Sequence, residues 1–346
     1  MVSSPSGGYR LASDVPQPAP QPGTMLVRVH AVSLNPYDAK IVEYRVGAPG
    51  AYVGGCDFAG VVVAVGPAVT RFRPGDRVLT INTHGGFAEY ALAVEDLSCH
   101  VPDAMPYTQA CSLGLAVGIA GLALFQEPGL NLPLLRGPDL GQVNGHQDEA
   151  VPAAAVPAAA VPAATVLRRI QPHRHLLARQ QRPVRVLRRL GLLRLPLAHL
   201  WRRHPAAHRQ HAGPRARLRH RRRHHGHVLR GHRRPTGGAY VALEPTTNTV
   251  KYTRRDVRAD WVMANTLLGD PCTLDGVYGR PAAPEHRLFA GRLFRLAERW
   301  LRDGDIWNHP LEIRHPGLES VGPGLQDLRA GIIRGKKLVV PLEVAA

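Results

Sequence analysis

Lysine is nearly missing from this 346-residue chain, with four against 40 arginines. Cysteine is as scarce. Cys56, Cys99, Cys111 and Cys272 stand singly, which excludes a disulfide framework or a Cys-x-x-Cys zinc site and fits a reducing compartment. The first 23 residues, MVSSPSGGYRLASDVPQPAPQPG, hold no apolar core for a secretory leader. The apolar stretch of residues 110–126 carries no charge, contains three glycines and falls about one turn short of a typical membrane span. A buried, packed helix is expected there, and with it a cytoplasmic protein without a membrane role.

Acidic residues are absent over residues 151–235, where 21 arginines and 11 histidines stand without one lysine, aspartate or glutamate. Elsewhere 23 basic side chains face 26 acidic ones. The formal charge of +18 therefore belongs to one segment, and a uniformly basic, nucleic-acid-coating domain is excluded.

What is present reads as two well-behaved flanks. Residues 24–133 carry β-branched runs closed by Gly and Pro: MLVRVHAVSL before Asn35-Pro36, GVVVAV before Gly66-Pro67, Arg77-Val78-Leu79 after a Pro-Gly-Asp turn, and FAEYALAV from Phe87 to Val94. Short strands with such punctuation imply a compact, partly open barrel. Beyond residue 236, Phe289, Leu293, Leu296 and Trp300 recur at helical spacing on a helix ending near Gly304. Leu325, Leu328, Ile332 and Ile333 suggest a second helix, and residues 336–343 a closing strand. Between the flanks, AVPAAAVPAAAVPAATV and then Arg/His/Leu/Pro sustain no period of 2 or 3.6, which reads as disordered or poorly packed.

The flanks carry LNPYDAK (34–40), GGCDFAGVVVAVG (54–66), RFRPGDRVL (71–79), GGFAEYALA (85–93), TGGAYVALEP (236–245), LGDPCTLDGVYGRPAAPE (268–285), HPLEIRHPGLESVGPGLQDLRAG (309–331) and GKKLVV (335–340). In this order they resemble the zinc-free medium-chain dehydrogenase/reductases, most of all the trans-acting enoyl reductases that partner fungal-type polyketide synthases. The resemblance implies an α/β protein: a GroES-like β-rich catalytic domain made by both chain ends, and a Rossmann domain between them for NADPH. The implied division is 1–133 catalytic, 134–235 aberrant in place of most of the Rossmann domain, 236–299 its remnant, and 300–346 the return to the catalytic domain.

Zinc-dependent relatives hold their metal with Cys and His near two of these motifs, the donors that tetrahedral zinc favours. Here those places read Asn35-Pro36-Tyr37-Asp38 and Gly55-Cys56-Asp57, so no metal is expected. The reaction implied is secondary-metabolic: NADPH-dependent reduction of an α,β-unsaturated thioester on an acyl carrier protein of the synthase, without nucleic acid or membrane. Tyr37, Asp38, Ala39 and Lys40 match the family's cofactor-side stretch, with Lys40 the catalytic candidate as donor to the developing enolate or to cofactor oxygens. Leu243, Val339 and Val340 are expected beside the nicotinamide. Ala120, Gly121, Leu122 and Ala123, with Ala264, Asn265, Thr266, Leu267 and Leu268, are expected to line the substrate channel; core packing is the plain alternative for the apolar ones.

No GxGxxG or GGS-type phosphate turn follows a strand between residues 134 and 234, although a Rossmann unit needs one for the pyrophosphate. A lysine-free Arg/His/Pro/Ala stretch of domain length, flanked by motifs in register, is what GC-rich coding DNA produces when read out of frame. The expectation is a cofactor-defective copy with a frame error over roughly 135–235. The alternatives are another zinc-free quinone or enone reductase, a pseudoenzyme, or a basic nucleic-acid-binding protein in which counterion release drives association.

Overall fold

The computed structural model describes residues 1–4, 7–44, 52–131, 154–155, 238–246, 248 and 257–342. Strands β1 (Val2–Ser3) and β2 (Tyr9–Arg10) form a small antiparallel pair. The central strand β3 (Thr24–Leu34) is buried along nearly its whole length. Buried apolar residues lie on both of its faces, Met25, Val27, Val29 and Ala31 on one and Leu26, Val32 and Leu34 on the other, which explains why its period of two is only partial. It pairs antiparallel with β4 (Asp57–Val65), β6 (Tyr90–Val94) and β12 (Lys337–Pro341). Strands β5 (Arg77–Ile81), β7 (Ser98–His100) and β11 (Leu311–Ile313) complete a seven-stranded sheet. Met25, Val27, Phe58, Phe87, Leu338 and Val340 fill its core.

Helix α1 (Pro36–Tyr44) follows β3, and α2 (Tyr107–Ala110) leads into α3 (Gly114–Phe125). The stretch Tyr107–Phe125 is apolar and long enough to cross a membrane, yet 67% of its most apolar 18 residues is buried inside the fold, as in a core helix. The long helix α4 (Pro284–Arg302) begins with Pro at its first turn and buries Phe289, Leu293, Phe294, Leu296 and Leu301. Helix α5 (Val321–Ala330) stops earlier than the Leu325-to-Ile333 spacing suggests. Gly331 adopts a left-handed φ of 69° and its N–H bonds back to Leu328, so Ile332 is thrown outward, 64% exposed. The strand expected over Phe87–Val94 is likewise shorter, beginning at Tyr90.

The chain divides into two units, 1–118 with 264–346, and 119–263. The boundaries of these units fall at 118/119 and 263/264. The reason is α4, whose apolar face packs on β7, on the 3-10 turn Glu95–Leu97 and on the 3-10 turn Ala264–Leu268. In the second unit, β8 (Ala154–Ala155), β9 (Gly238–Ala242) and β10 (Val257–Trp261) form a parallel sheet in the order β10-β9-β8. Of the 134–235 segment only β8 belongs to the described residues, so the out-of-frame reading lies outside them.

Candidate active site

The site in the first unit is built where β3 turns into α1. Pro36 occupies the first helical position, where its missing N–H costs no bond. The Asp38 carboxylate reaches back to accept the Asn35 backbone N–H at 2.8 Å, the N3-to-cap half of a capping box. The start of the helix is therefore set by two residues of the LNPYDAK motif. Tyr9 donates its hydroxyl proton to the Asp38 carbonyl at 3.2 Å, pinning the same turn from outside.

Asp38 is buried, and its Oδ1 has no hydrogen-bond partner among the described residues. Burial pushes its pKa up to about 6, against the pull of the Asn35 N–H, the Cys56 thiol and the Lys337 charge. The Asn35 side chain looks the other way. Its Nδ2 donates to the Ser33 carbonyl at 3.4 Å and to Cys56 Sγ at 3.5 Å, while its Oδ1 accepts from Lys337 Nζ.

Asp57 opens β4 and is wholly buried. It accepts from Ser33 Oγ at 2.8 Å, from Lys337 Nζ at 3.3 Å and from the Leu115 backbone N–H at 3.1 Å. The last donor lies in the first turn of α3, where the helix dipole favours a carboxylate. Gly114 makes that approach possible. A Cβ there would stand 2.7 Å from Ile81 Cγ2 and 3.0 Å from Asp57 Oδ1.

Tyr37 faces a different neighbour. Its hydroxyl oxygen accepts from Asn265 Nδ2 at 3.1 Å, and burial raises its pKa far above the ordinary phenol value, so it stays neutral. Next to Asn265, Thr266 Oγ1 and His286 Nδ1 lie 2.9 Å apart. The structure thus brings Tyr37 of the expected cofactor stretch together with Asn265 of the expected channel wall. Leu267 is fully buried; Ala264, Asn265 and Leu268 are partly exposed. Lys40 lies on α1, partly exposed, four residues beyond Pro36. Val339 and Val340 are completely buried on β12, and the Val339 carbonyl already accepts the Arg314 N–H at 2.9 Å.

In the second unit, Ala120, Gly121, Leu122 and Ala123 are buried on α3. Leu243 follows the end of β9, and past it the Thr246 hydroxyl is buried without a partner among the described residues. β9 and β10 run parallel and end side by side at Ala242 and Trp261, the strand ends over which dinucleotides bind. Backbone ends and an unsatisfied hydroxyl fit the nicotinamide end of such a cofactor. The stretch that would hold the phosphates lies outside the described residues.

The donor set does not suit zinc. Asn35 Oδ1 and Asp57 are engaged by an ammonium, and Cys56 is kept a thiol by burial and by the Asp38 and Asp57 charges. Among the described residues no group of three His, Cys, Asp or Glu could hold a metal ion. Sequence reasoning missed Lys337, Asp57 and Ser33 as parts of the site. The available signal was that Asp57 and Lys337 both lie inside motifs, GGCDFAG and GKKLVV.

Residues 21–103 match the alcohol dehydrogenase GroES-like domain. The chain is 54% identical to a trans-enoyl reductase of Fusarium mangiferae over 100% of its own length and 99% of the relative. It is 43% identical to a trans-enoyl reductase of Gibberella fujikuroi over 99% of each. Among solved structures, an alcohol dehydrogenase superfamily protein from Novosphingobium aromaticivorans aligns with a TM-score of 0.56 and 19% identity, over 95% of both chains.

Proposed function

The chain belongs to the trans-enoyl reductase family, an oxidoreductase family, and from that premise we propose NADPH-dependent reduction of an α,β-unsaturated thioester presented on the acyl carrier protein of a polyketide synthase, in the cytoplasm. One observation supports the reading above others: α1 is held at its first turn by the Asp38–Asn35 bond, so that Tyr37 and Lys40 are carried on a rigid element rather than a loop.

Bound NADPH supplies the hydride for the β-carbon. Tyr37, Asp38, Ala39, Lys40, Leu243, Val339 and Val340 are the residues proposed to hold it. Asp38 acts through the helix start, since its bonded oxygen is spent on the Asn35 N–H. Lys40 is proposed to place a positive charge at the thioester oxygen as negative charge develops there, which lowers the barrier only if the donor is already in position. The neutral Tyr37 phenol, with its oxygen fixed by Asn265, keeps an O–H free to donate toward the same region. Ala120 to Ala123 and Ala264 to Leu268 are proposed to line the acyl channel.

Within residues 134–234 the sequence contains no glycine-rich phosphate turn, so this copy is proposed to be cofactor-defective. Fluorescence titration with NADPH, followed by an assay on an enoyl-loaded acyl carrier protein, tests both statements. No saturable micromolar binding is expected for this chain. Restoring the alternative frame over codons 135–235 should recover binding and carrier-dependent turnover. Saturable binding by the chain as it stands would overturn the defect, and a restored chain that binds NADPH but reduces only free quinones would overturn the substrate.

A further inference from the structure

We propose that Lys337 is a positioning residue: its ammonium is an internal cation that fastens the Asn35 end of α1 to β4 and β12, and so sets where the Tyr37–Lys40 segment stands. The proposal rests on the preceding reading only for what that segment does.

Three features carry it. Lys337 opens β12, with its side chain 15% exposed, and its partner Asp57 is 0% exposed. A buried carboxylate left without a cation is costly, so this pair is held by what surrounds it. The ammonium also bonds Asn35 Oδ1, and Asn35 is the residue immediately before α1. One charged group therefore ties together three segments that are distant in sequence: the end of β3, the start of β4 and the start of β12.

The remaining bonds leave little slack. Asp57 is anchored independently by Ser33 and by the α3 N-terminus, so it can act as a fixed post. Register does the rest, because β12 pairs with β3 through Leu338 opposite Leu34 and Val339 opposite Ser33, which brings residue 337 level with the β3–α1 junction. Lys336, by contrast, is half exposed and reaches Glu312 on β11. Adjacent lysines thus have separate duties. His309, before β11, also faces this charge; burial and Lys337 together hold its pKa down. The Lys337 contribution is local, because removing it releases the Asn35 amide and uncovers Cys56, which lies between Asn35 and Asp38.

Cys56 is therefore the reporter. It is 2% exposed, as buried as Cys99 at 1%, and alkylates only when its surroundings open. N-ethylmaleimide labelling of the full chain, resolved by residue with mass spectrometry, is compared for wild type, Lys337→Met and Lys337→Arg. Lys337→Met is expected to speed Cys56 labelling by about tenfold or more while Cys99, under α4, keeps its rate. Lys337→Arg, which retains the charge, should return Cys56 to within about threefold of wild type. Asp57→Asn provides the second variant, since it keeps the shape and loses the charge; it should speed Cys56 labelling too, and adding Lys337→Met should then change the rate by less than about twofold. Unchanged Cys56 labelling, a parallel rise at Cys99, no rescue by arginine, or fully additive effects of the two substitutions would each overturn the proposal. None of these readouts depends on NADPH or turnover, so failure here and failure of the enoyl reductase reading are separate results.

Discussion

One oxygen of the Glu298 carboxylate, on α4, accepts both the backbone N–H of His100 at 2.9 Å and its ring Nδ1–H at 3.1 Å. Arg71 reaches the same oxygen at 2.9 Å, Asp76 lies 3.5 Å from the other ring nitrogen, and Phe72 stacks on the ring at 4.3 Å. This cluster clips α4 to the strands beneath it, and it titrates. The hydrogen bond to Glu298 is the largest cause raising the His100 pKa, with burial opposing it. Burial pushes Glu298 up, but the two His100 bonds and Arg71 leave it below its ordinary value.

The pH dependence follows from those two directions. A raised histidine stabilises the fold below its unfolded value near 6.5 and loses that contribution as pH rises through the folded value. A lowered carboxylate contributes above its unfolded value near 4.3 and loses the contribution as pH falls through the folded one. Both operate between about pH 5 and 6.5. Glu298→Gln should cost roughly 1 kcal/mol in that window, a modest figure because the His100 ring is 40% exposed. The gap in Tm to wild type should narrow toward pH 9. A gap that widens with rising pH would contradict the assignment.

Phe294 is wholly buried on the same helix, and its carbonyl accepts from Cys99 Sγ at 3.2 Å. Phe294→Ala should destabilise by about 3–5 kcal/mol, from lost burial plus the cavity left behind. Urea unfolding measures it; a cost below about 1 kcal/mol would mean that α4 is not seated on these strands.

Gly114→Ala tests the α3 entry. The added methyl meets Ile81 Cγ2 at 2.7 Å and the Thr80 carbonyl at 3.1 Å; neither atom is the end of a flexible chain. The helix must retreat and stretch the Leu115–Asp57 bond, for a cost of about 1–3 kcal/mol, although alanine is the better helix former. A gain in stability on thermal unfolding would refute this account.

Lys40→Met should leave the fold in place, because the side chain is only partly buried. In the frame-restored chain kcat/KM for enoyl reduction should fall by about 10²–10³, the range for losing a positioned proton or charge donor. Equal kcat with a raised KM for NADPH would assign Lys40 to cofactor binding alone.

Local chemistry determined much of this protein from sequence alone. The β-branched runs between Gly and Pro became β3, β4 and β5, and the 4-3-4 apolar spacing became α4, because strand and helix periods depend only on near neighbours. The absence of Cys and His at residues 35 and 37 was equally plain. Tertiary structure alone decided where α4 belongs, since an apolar face does not say which surface covers it. It also decided that Asp38 serves the helix start and that Lys337 meets Asn35, 302 residues away. A lysine finds its partner through the register of β12 against β3, and register over that separation is set by the packing of the whole sheet, not by any residue near either end.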